Sequence, residues 1–133
     1  MRSVKTLSAV GLGGAIGTGT RFALSLFALR YDPQIAVLAT LAANTLGAAL
    51  IGFLATRDLS AMKSALWMTG FCGGFTTFSL FSLEILLLLE TNPALAITYA
   101  ALSLVLWLMA VWAGFSVGRR GRSARSGSPP THP

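Results

Sequence analysis

The residues best suited to chemistry lie in one segment, which reads GFCGGFTTFSLFSLE from Gly70 to Glu84. Three glycines, two threonines and two serines interrupt an otherwise apolar run. Glycine and β-branched threonine both weaken a helix. A broken helix survives at membrane depth only where its freed backbone groups meet protein, water or ions, and freed carbonyls are natural cation ligands. The pattern therefore indicates that Gly73 to Thr76 can hold a hard cation such as Na⁺ by backbone oxygens.

The same segment places Phe75, Phe78 and Phe81 at intervals of three. On a regular helix this spacing forms an apolar stripe, and by pattern alone core packing is the favoured interpretation. Aromatic rings nevertheless have electropositive edges. A ring edge turned toward a pore can stabilise a small anion without a full positive charge, so the spacing leaves both interpretations open.

Two further pairs of polar residues occur one helical turn apart. Thr40 and Asn44 lie in TLAANTLGAALIG, and four-residue spacing places them on one helix face. A buried amide without partners costs about 1–3 kcal/mol. Asn44 therefore either ties helices together or lines a polar track with Thr40. Tyr99 and Ser103 form the second pair, and the sequence does not decide whether they bind other helices or extend a hydrogen-bonding path.

Only two charged residues fall well inside apolar segments, Arg21 and Glu84. Charged side chains at membrane depth are costly and usually face protein or water. The alternative is that the side chain extends toward the membrane interface. The sequence favours neither a functional role nor this extension for either residue.

The glycine-rich stretch GLGGAIGTGTRF, from Gly11 to Phe22, resembles a nucleotide-binding loop only in composition. Such a loop follows a strand, whereas this stretch lies within a predicted membrane span. Gly13 and Gly17 form instead a small-xxx-small pair, which lets helix backbones approach closely. The pattern predicts helix packing.

Four long apolar segments must position these residues. The chain has 133 residues, 54% hydrophobic and 11% charged, whereas a soluble domain has about 25% charged residues. A membrane-spanning helix needs about 20 mostly apolar residues, and the segments are long, rich in Ala and Leu, and lack strand alternation. The predicted spans are Leu7–Leu29, Ile35–Ala55, Ser64–Leu89 and Ala94–Val117. We predict an all-α membrane protein, residues 1–118, with four transmembrane helices and the third broken at mid-membrane.

The basic residues cluster on one side of this arrangement, so the net charge of +6 does not indicate nucleic-acid binding. Four spans place eight Lys or Arg residues on one face and only Arg30 on the other. The eight are Arg2, Lys5, Arg57, Lys63, Arg119, Arg120, Arg122 and Arg125. The positive-inside rule predicts cytoplasmic N- and C-termini. Residues 119–133 are basic and rich in Ser and Pro, which predicts a disordered cytoplasmic tail.

Three motifs occur in order, one in each of the first three helices: GGAIGTGTRF, TLAANTLG and GFCGGFTTFSLFSLE. From Leu12 to Gly114 the chain resembles the CrcB/Fluc family of fluoride channels. The third motif is highly specific, and the first two support it by their order and spacing. The resemblance implies an antiparallel, dual-topology dimer in the cell membrane of a prokaryote, with two pores through which fluoride leaves passively.

The resemblance also assigns roles to residues. It implies a structural Na⁺ at the dimer centre, held by the backbone carbonyls of Gly73 and Thr76. It implies that Phe78 and Phe81 present ring edges to fluoride and that Asn44 is a pore-lining amide. The remaining implied residues are Arg21 at the pore vestibule and Thr40, Tyr99 and Ser103 along the polar track.

The chain departs from the family pattern at two positions and in its charge distribution. Leu80 stands where the family often has threonine, and Trp107 lies two turns after Tyr99, where a small hydroxyl would extend the polar track. An antiparallel homodimer needs both membrane orientations and therefore a weak charge bias, whereas this bias is strong. The partner is either a second copy or, as we hypothesise from the charge bias, an oppositely oriented homologue.

Two rival functions remain at this stage. A small proton-coupled drug exporter needs a membrane carboxylate in the first helix, but that helix contains Arg21 and the carboxylate is Glu84 in the third. A non-transporting assembly subunit explains the glycines but not the hydroxyl groups around one break. An enzyme is not expected, because the spans contain no nucleophile–base–carboxylate set and no metal-ligand cluster.

Overall fold

The computed structural model describes residues 2–31 and 33–126, and all regular structure within them is helical. The elements are α1 (Arg2–Leu29), α2 (Pro33–Leu54), α3 (Ala61–Ser64), a π-helix (Ala65–Cys72), α4 (Gly73–Phe75), α5 (Phe78–Thr91) and α6 (Pro93–Ser126). Four spans are long and apolar enough to cross a membrane, and the third, Ala61–Thr91, contains every element from α3 to α5. The predicted all-α membrane protein with four spans is confirmed.

Local sequence explains where the helices begin. Pro93 is the first residue of α6 and needs no N–H partner there. Asn92 precedes it and accepts the Leu95 N–H at 3.1 Å, which caps the helix. Ser60 caps α3 by accepting the Lys63 N–H at 3.4 Å. These short connections keep consecutive spans antiparallel.

Glycines allow α1 to pack directly against the first half of the third span. A Cβ added at Gly13 would collide with the Leu66 carbonyl, and one added at Gly17 would collide with the Phe71 carbonyl. Gly74 makes the reciprocal close approach to the Gly14 backbone. The predicted packing role of Gly13 and Gly17 is confirmed, because only a hydrogen at Cα leaves room for backbone contact.

A second glycine seam joins α2 to α6. A Cβ at Gly52 would collide with the Val111 carbonyl, and one at Gly114 would collide with the Ala49 carbonyl. The two seams produce two helix pairs, α1 with the first half of the third span and α2 with α6. The helix break lies where these pairs meet.

The π-helix Ala65–Cys72 is a feature that the sequence pattern does not predict. Its wider turn is less favourable than an α-helical turn and often occurs at functional sites. Gly70 lies within it, against the Val10 carbonyl and the Gly13 backbone. The wider turn leads directly into the broken region.

The last helix differs from the prediction at its C-terminal end. The sequence predicts a disordered tail from Arg119, whereas α6 continues to Ser126. Arginine is a good helix former, and Arg122 forms an ion pair with Asp58 in the connection before α3. This hydrogen-bonded guanidinium lowers the pKa of the Asp58 carboxyl. Residues 127–133 lie outside the described part of the chain, where disorder stays a prediction.

Most apolar surface faces outward from the bundle. In the most apolar 18-residue stretch of α2, only 39% is buried inside the bundle. The corresponding share in α6 is only 11%. Such an exterior is unfavourable in water but favourable against lipid or another subunit. The fold therefore belongs in a membrane and leaves faces available for a partner.

Candidate ion site at the helix break

The third span is interrupted at Thr76 and Thr77. Thr76 has φ −82° and ψ 149°, and Thr77 has φ −144° and ψ 121°, so both residues are extended. Helix resumes at Phe78, where the Thr77 hydroxyl accepts the Leu80 N–H at 3.3 Å. The predicted break is confirmed, and Thr77 acts as the N-cap of the second half.

Asn44 holds the break open from α2. Its Oδ1 accepts the Thr77 N–H at 2.8 Å, and its Nδ2 donates to the Thr77 carbonyl at 3.0 Å. The side chain thereby satisfies the Thr77 N–H, which has lost its helical partner, and adds a hydrogen bond to the Thr77 carbonyl. Asn44 is 5% exposed, so this pairing replaces water in a buried position. Asn44 therefore ties helices together, and its predicted role as a pore-lining amide remains a prediction.

The break changes the partners of two backbone carbonyls. In a continuous helix the Thr77 N–H would bind the Gly73 carbonyl, but it is donated to Asn44 instead. The Leu80 N–H would bind the Thr76 carbonyl, but it is donated to the Thr77 hydroxyl. Gly73 is exposed, and a Cβ added there would meet no atom within 4 Å. Neither carbonyl keeps its expected helical partner, and the Gly73 side of the break is open.

The donor chemistry at the break fits a hard cation. Carbonyl oxygens suit such ions. Among the described residues there is no cluster of three His, Cys, Asp or Glu side chains that could hold a metal. Any cation bound in this region would depend on backbone and hydroxyl oxygens, which is the arrangement that Gly73 and Thr76 offer.

Glu84 is the centre of a hydrogen-bond network between three helices. The Thr40 hydroxyl donates to Glu84 Oε1 at 2.6 Å, and the Tyr99 hydroxyl donates to Oε2 at 2.8 Å. Glu84 is 8% exposed, so it faces protein and does not extend to an interface. Two hydroxyl donors offset part of the cost of burying a carboxylate. Spacing along the chain does not connect Glu84 to Thr40 and Tyr99, although Glu84 is the only acidic residue deep within an apolar segment of the sequence.

The three phenylalanines do not form one stripe. Phe75 is buried and stacks on Phe71, with ring centroids 5.5 Å apart. Phe81 is 3% exposed and lies 5.5 Å from Tyr99 and 4.7 Å from Trp107 between ring centroids. The break rotates the second half of the span away from the first. Phe78 is consequently 68% exposed.

A groove of about 450 Å³ runs beside the break and is lined by residues of the π-helix, α2 and α6 as well as by the break itself. Its lining brings together four of the predicted site residues with Trp107: Asn44, Gly73, Thr76 and Phe78. The other predicted residues, Arg21, Thr40, Phe81, Tyr99 and Ser103, are not part of this lining. Within the described residues, most of the predicted site residues therefore lie at two places, the groove at the break and the Glu84 network.

Arg21 and Ser103 each retain a polar atom without a hydrogen bond. Arg21 is half-buried in α1, and within the described residues its Nε has no partner. Ser103 is fully buried; its Oγ lies close enough to Tyr99 to interact with it but makes no hydrogen bond of normal geometry. Their predicted roles, at the vestibule and along the track, remain predictions.

These features define a class of protein: a polytopic helical membrane protein with buried polar groups at an interrupted span, as in channels and transporters. A family model described as "CrcB-like protein, Camphor Resistance (CrcB)" matches residues 8–115. The chain belongs to this family. It is 45% identical over 113 residues to a fluoride-specific ion channel of Azotobacter vinelandii, which covers 80% of this chain and 90% of the relative.

Two other relatives have similar names. A fluoride-specific ion channel of Francisella philomiragia is 41% identical over 116 residues, covering 80% of this chain and 88% of its own length. A second fluoride-specific ion channel of Bacillus subtilis is 40% identical over 118 residues, covering 88% and 90%. Because these homologues are named as ion channels, the prediction that the chain is not an enzyme is confirmed. The family also favours a channel over a drug exporter or an assembly subunit.

Proposed function

We propose that the chain is one subunit of a fluoride-selective channel that passively exports fluoride and so lowers its concentration and toxicity in the cell. One observation carries this proposal: Asn44 holds a helix break open beside Phe78 and Phe81. The family provides the identity of the ion, since relatives 41% and 45% identical to this chain are named fluoride-specific ion channels.

The polar groups near the break suit a small, strongly hydrated anion. A selective pore must replace water around the ion without binding it too tightly for exit. An amide nitrogen has two N–H groups, so Asn44 retains a second donor while it binds Thr77. The edges of Phe78 and Phe81 supply weak positive potential. The buried polar side chains of the described residues include no Lys or Arg that would trap the anion.

The hydroxyl groups of the Glu84 network can bind a passing anion only if they release Glu84. Thr40 and Tyr99 each donate their hydroxyl hydrogen to the carboxylate, and a hydroxyl has only one hydrogen to donate. A fluoride ion that follows the track past these residues and Ser103 must compete with Glu84 for those hydrogens. We propose that the hydroxyls change partner as the ion passes.

We further propose a structural Na⁺ that is not transported, held by the carbonyls of Gly73 and Thr76. The redirected hydrogen bonds of Thr77 and Leu80 support this assignment, as does the open space beside Gly73. When bound, the ion supplies a fixed positive charge at the break. Asn44 keeps the break extended and thereby keeps the Gly73 and Thr76 carbonyls in place for the ion.

The proposed assembly is an antiparallel dimer in the cell membrane of a prokaryote. The partner is either a second copy or an oppositely oriented homologue, and the strong charge bias favours the homologue. The same bias favours cytoplasmic N- and C-termini. Exposed Phe78 and Gly73 lie on a face that such a partner can cover.

Fluoride efflux from liposomes tests the proposed function. Purified protein is reconstituted in vesicles loaded with fluoride or with chloride, and release is followed with ion-selective electrodes. We expect fluoride release well above that of protein-free vesicles and little chloride release. Equal release of both ions contradicts selectivity, and no release, either alone or with a coexpressed homologue of opposite charge bias, contradicts the channel assignment.

A further inference from the structure

Trp107 has a buried polar atom that the surrounding protein does not satisfy. Its indole Nε1 is inaccessible to solvent, and within the described residues it has no hydrogen-bond partner. An unpaired buried donor is costly and uncommon in folded proteins. One turn earlier on the same face of α6, Ser103 Oγ is also buried, but it interacts with the Tyr99 hydroxyl. The Trp107 N–H therefore indicates a missing small partner.

The position of the ring shows where this partner would lie. Trp107 packs edge-to-face on Phe81, with 4.7 Å between centroids and an interplanar angle of 66°. It also lines the groove that contains Asn44 and Phe78. The ring therefore lies between the groove at the break and the aromatic cluster around Phe81.

We infer that the Trp107 indole N–H donates a hydrogen bond to the permeating anion and continues the pathway from the groove past Phe81. This inference rests on the proposed channel function. An indole nitrogen is a donor only and carries no charge, so it can favour an anion without holding it as a cationic side chain would. On this view Trp107 supplies the donor that a small hydroxyl would otherwise supply, and it does not block the track.

The chain provides matched controls for this role. It contains three tryptophans. Trp112 is 71% exposed on α6, and Trp67 packs on Phe71 with ring centroids 5.7 Å apart. Neither has a buried, unpaired indole nitrogen. A change at the indole nitrogen of Trp112 therefore controls for the chemistry of the substitution without affecting the groove at the break.

The first experiment removes the N–H and keeps the ring shape. Trp107 is replaced by 3-benzothienylalanine, in which sulfur takes the place of the N–H, and Trp112 is replaced in the same way as a control. Loss of a hydrogen bond to a charged group predicts that fluoride efflux falls by about tenfold at Trp107. Efflux of the Trp112 variant should match that of the unmodified protein. Unchanged efflux at Trp107 overturns the inference.

The second experiment uses the unmodified protein and needs no altered fold. The three indole N–H signals are followed by NMR during titration with sodium fluoride and, separately, sodium chloride, after assignment with Trp→Phe variants. We expect a saturable downfield shift of the Trp107 signal with fluoride alone. If that signal does not move, a lower efflux of the modified protein reflects packing, and the inference fails.

The two proposals fail in distinguishable ways. One outcome is that the unmodified protein conducts fluoride, while the Trp107 signal does not shift and the Trp107 substitution does not change efflux. This outcome contradicts only the proposed role of Trp107. Unmodified protein that does not conduct fluoride contradicts the channel function itself. In that case a Trp107 shift with fluoride would identify a binding site without conduction.

Discussion

Some side chains near the break stabilise the fold through hydrogen bonds, whereas others make few contacts within the chain. Burial and hydrogen bonding distinguish the two groups. The Asn44 side chain forms two hydrogen bonds with the Thr77 backbone. The Tyr99 hydroxyl donates a hydrogen bond to the Glu84 carboxylate. Phe78 has little contact within the chain and is 68% exposed. Substitutions at these three residues should therefore divide into those that change stability and those that change conduction alone.

Replacement of Asn44 by alanine should destabilise the protein. It leaves the Thr77 N–H unsatisfied in a part-buried position, at a cost of about 1–3 kcal/mol, and removes one hydrogen bond to the Thr77 carbonyl. The expected result is a lower midpoint of thermal unfolding, measured by circular dichroism in detergent, together with loss of fluoride efflux. Thr45→Ala is the control, because the Thr45 hydroxyl binds only the Leu41 carbonyl of its own helix. Equal stability of the two variants would contradict the role of Asn44.

Tyr99→Phe should slow fluoride efflux, because it removes one hydroxyl donor and leaves Glu84 with Thr40 alone. A hydrogen bond to a charged group contributes about 1.5–3 kcal/mol, so a measurable loss of stability should accompany a severalfold lower flux. Tyr31→Phe is a matched control on an exposed ring. If Tyr31→Phe and Tyr99→Phe give equal rates, the Glu84 network is not on the ion pathway.

Phe78→Ile should abolish fluoride efflux with little change in stability, because the exposed ring packs little within the chain. Phe81→Ile should also abolish flux while the dimer persists. It should reduce stability more, because Phe81 contacts Phe78, Tyr99 and Trp107 and truncation leaves a cavity. Efflux assays and size-exclusion chromatography of both variants check these outcomes. Unchanged transport in both would assign the rings to packing.

At the scale of the elements, glycine position decides which helices meet. Gly13 and Gly17 lie against the backbone of the π-helix, whereas Gly11 and Gly19 have no atom within 4 Å of an added Cβ. All four glycines belong to α1. Composition alone does not show which glycines are packing positions. The structure does, because two of them contact another backbone and two face open space.

Gly17→Ala should therefore destabilise the protein, because the new methyl group collides with the Phe71 carbonyl. Overpacking of this kind costs about 1–3 kcal/mol. Gly19→Ala should be neutral or stabilising by up to about 1 kcal/mol, since alanine favours helix and the site is open. Thermal unfolding of both variants in the same detergent measures the difference. The packing model fails if Gly17→Ala is as stable as Gly19→Ala.

At the scale of the whole molecule, charge separates the two ends of the bundle. Basic residues cluster at one end, where Arg122 pairs with Asp58 and Arg57 lies over the Phe53 ring at 4.2 Å. Exposed ion pairs contribute little to stability. We expect the basic residues to matter more for insertion, because the positive-inside rule predicts that the end rich in Lys and Arg faces the cytoplasm.

We expect the chain expressed alone to insert in one orientation. A C-terminal green fluorescent protein should fluoresce and a C-terminal alkaline phosphatase should be inactive, since only the former works in the cytoplasm. Substitution of Arg57, Lys63, Arg119 and Arg120 by glutamine should weaken the bias and activate part of the phosphatase. Activity of both reporters in the unmodified chain would show dual topology and favour a homodimer.

The sequence by itself determined the class of the protein and the place of its main irregularity. Four apolar segments require four spans because backbone groups in lipid must bond within helices. Gly73, Gly74 and two adjacent threonines predict where the third helix breaks, because these residues weaken local helix. These properties depend on near neighbours in the chain and can be read from composition and spacing.

Only the tertiary structure decided which partners the polar groups have. Asn44 and Thr77 are 33 residues apart, and Thr40 and Glu84 are 44 apart, so no local pattern connects them. The π-helix and the different burial of Phe78 and Phe81 likewise depend on how the helices pack. Local sequence decides where a helix can break, but the energy of buried hydrogen bonds depends on groups that only the folded chain brings together.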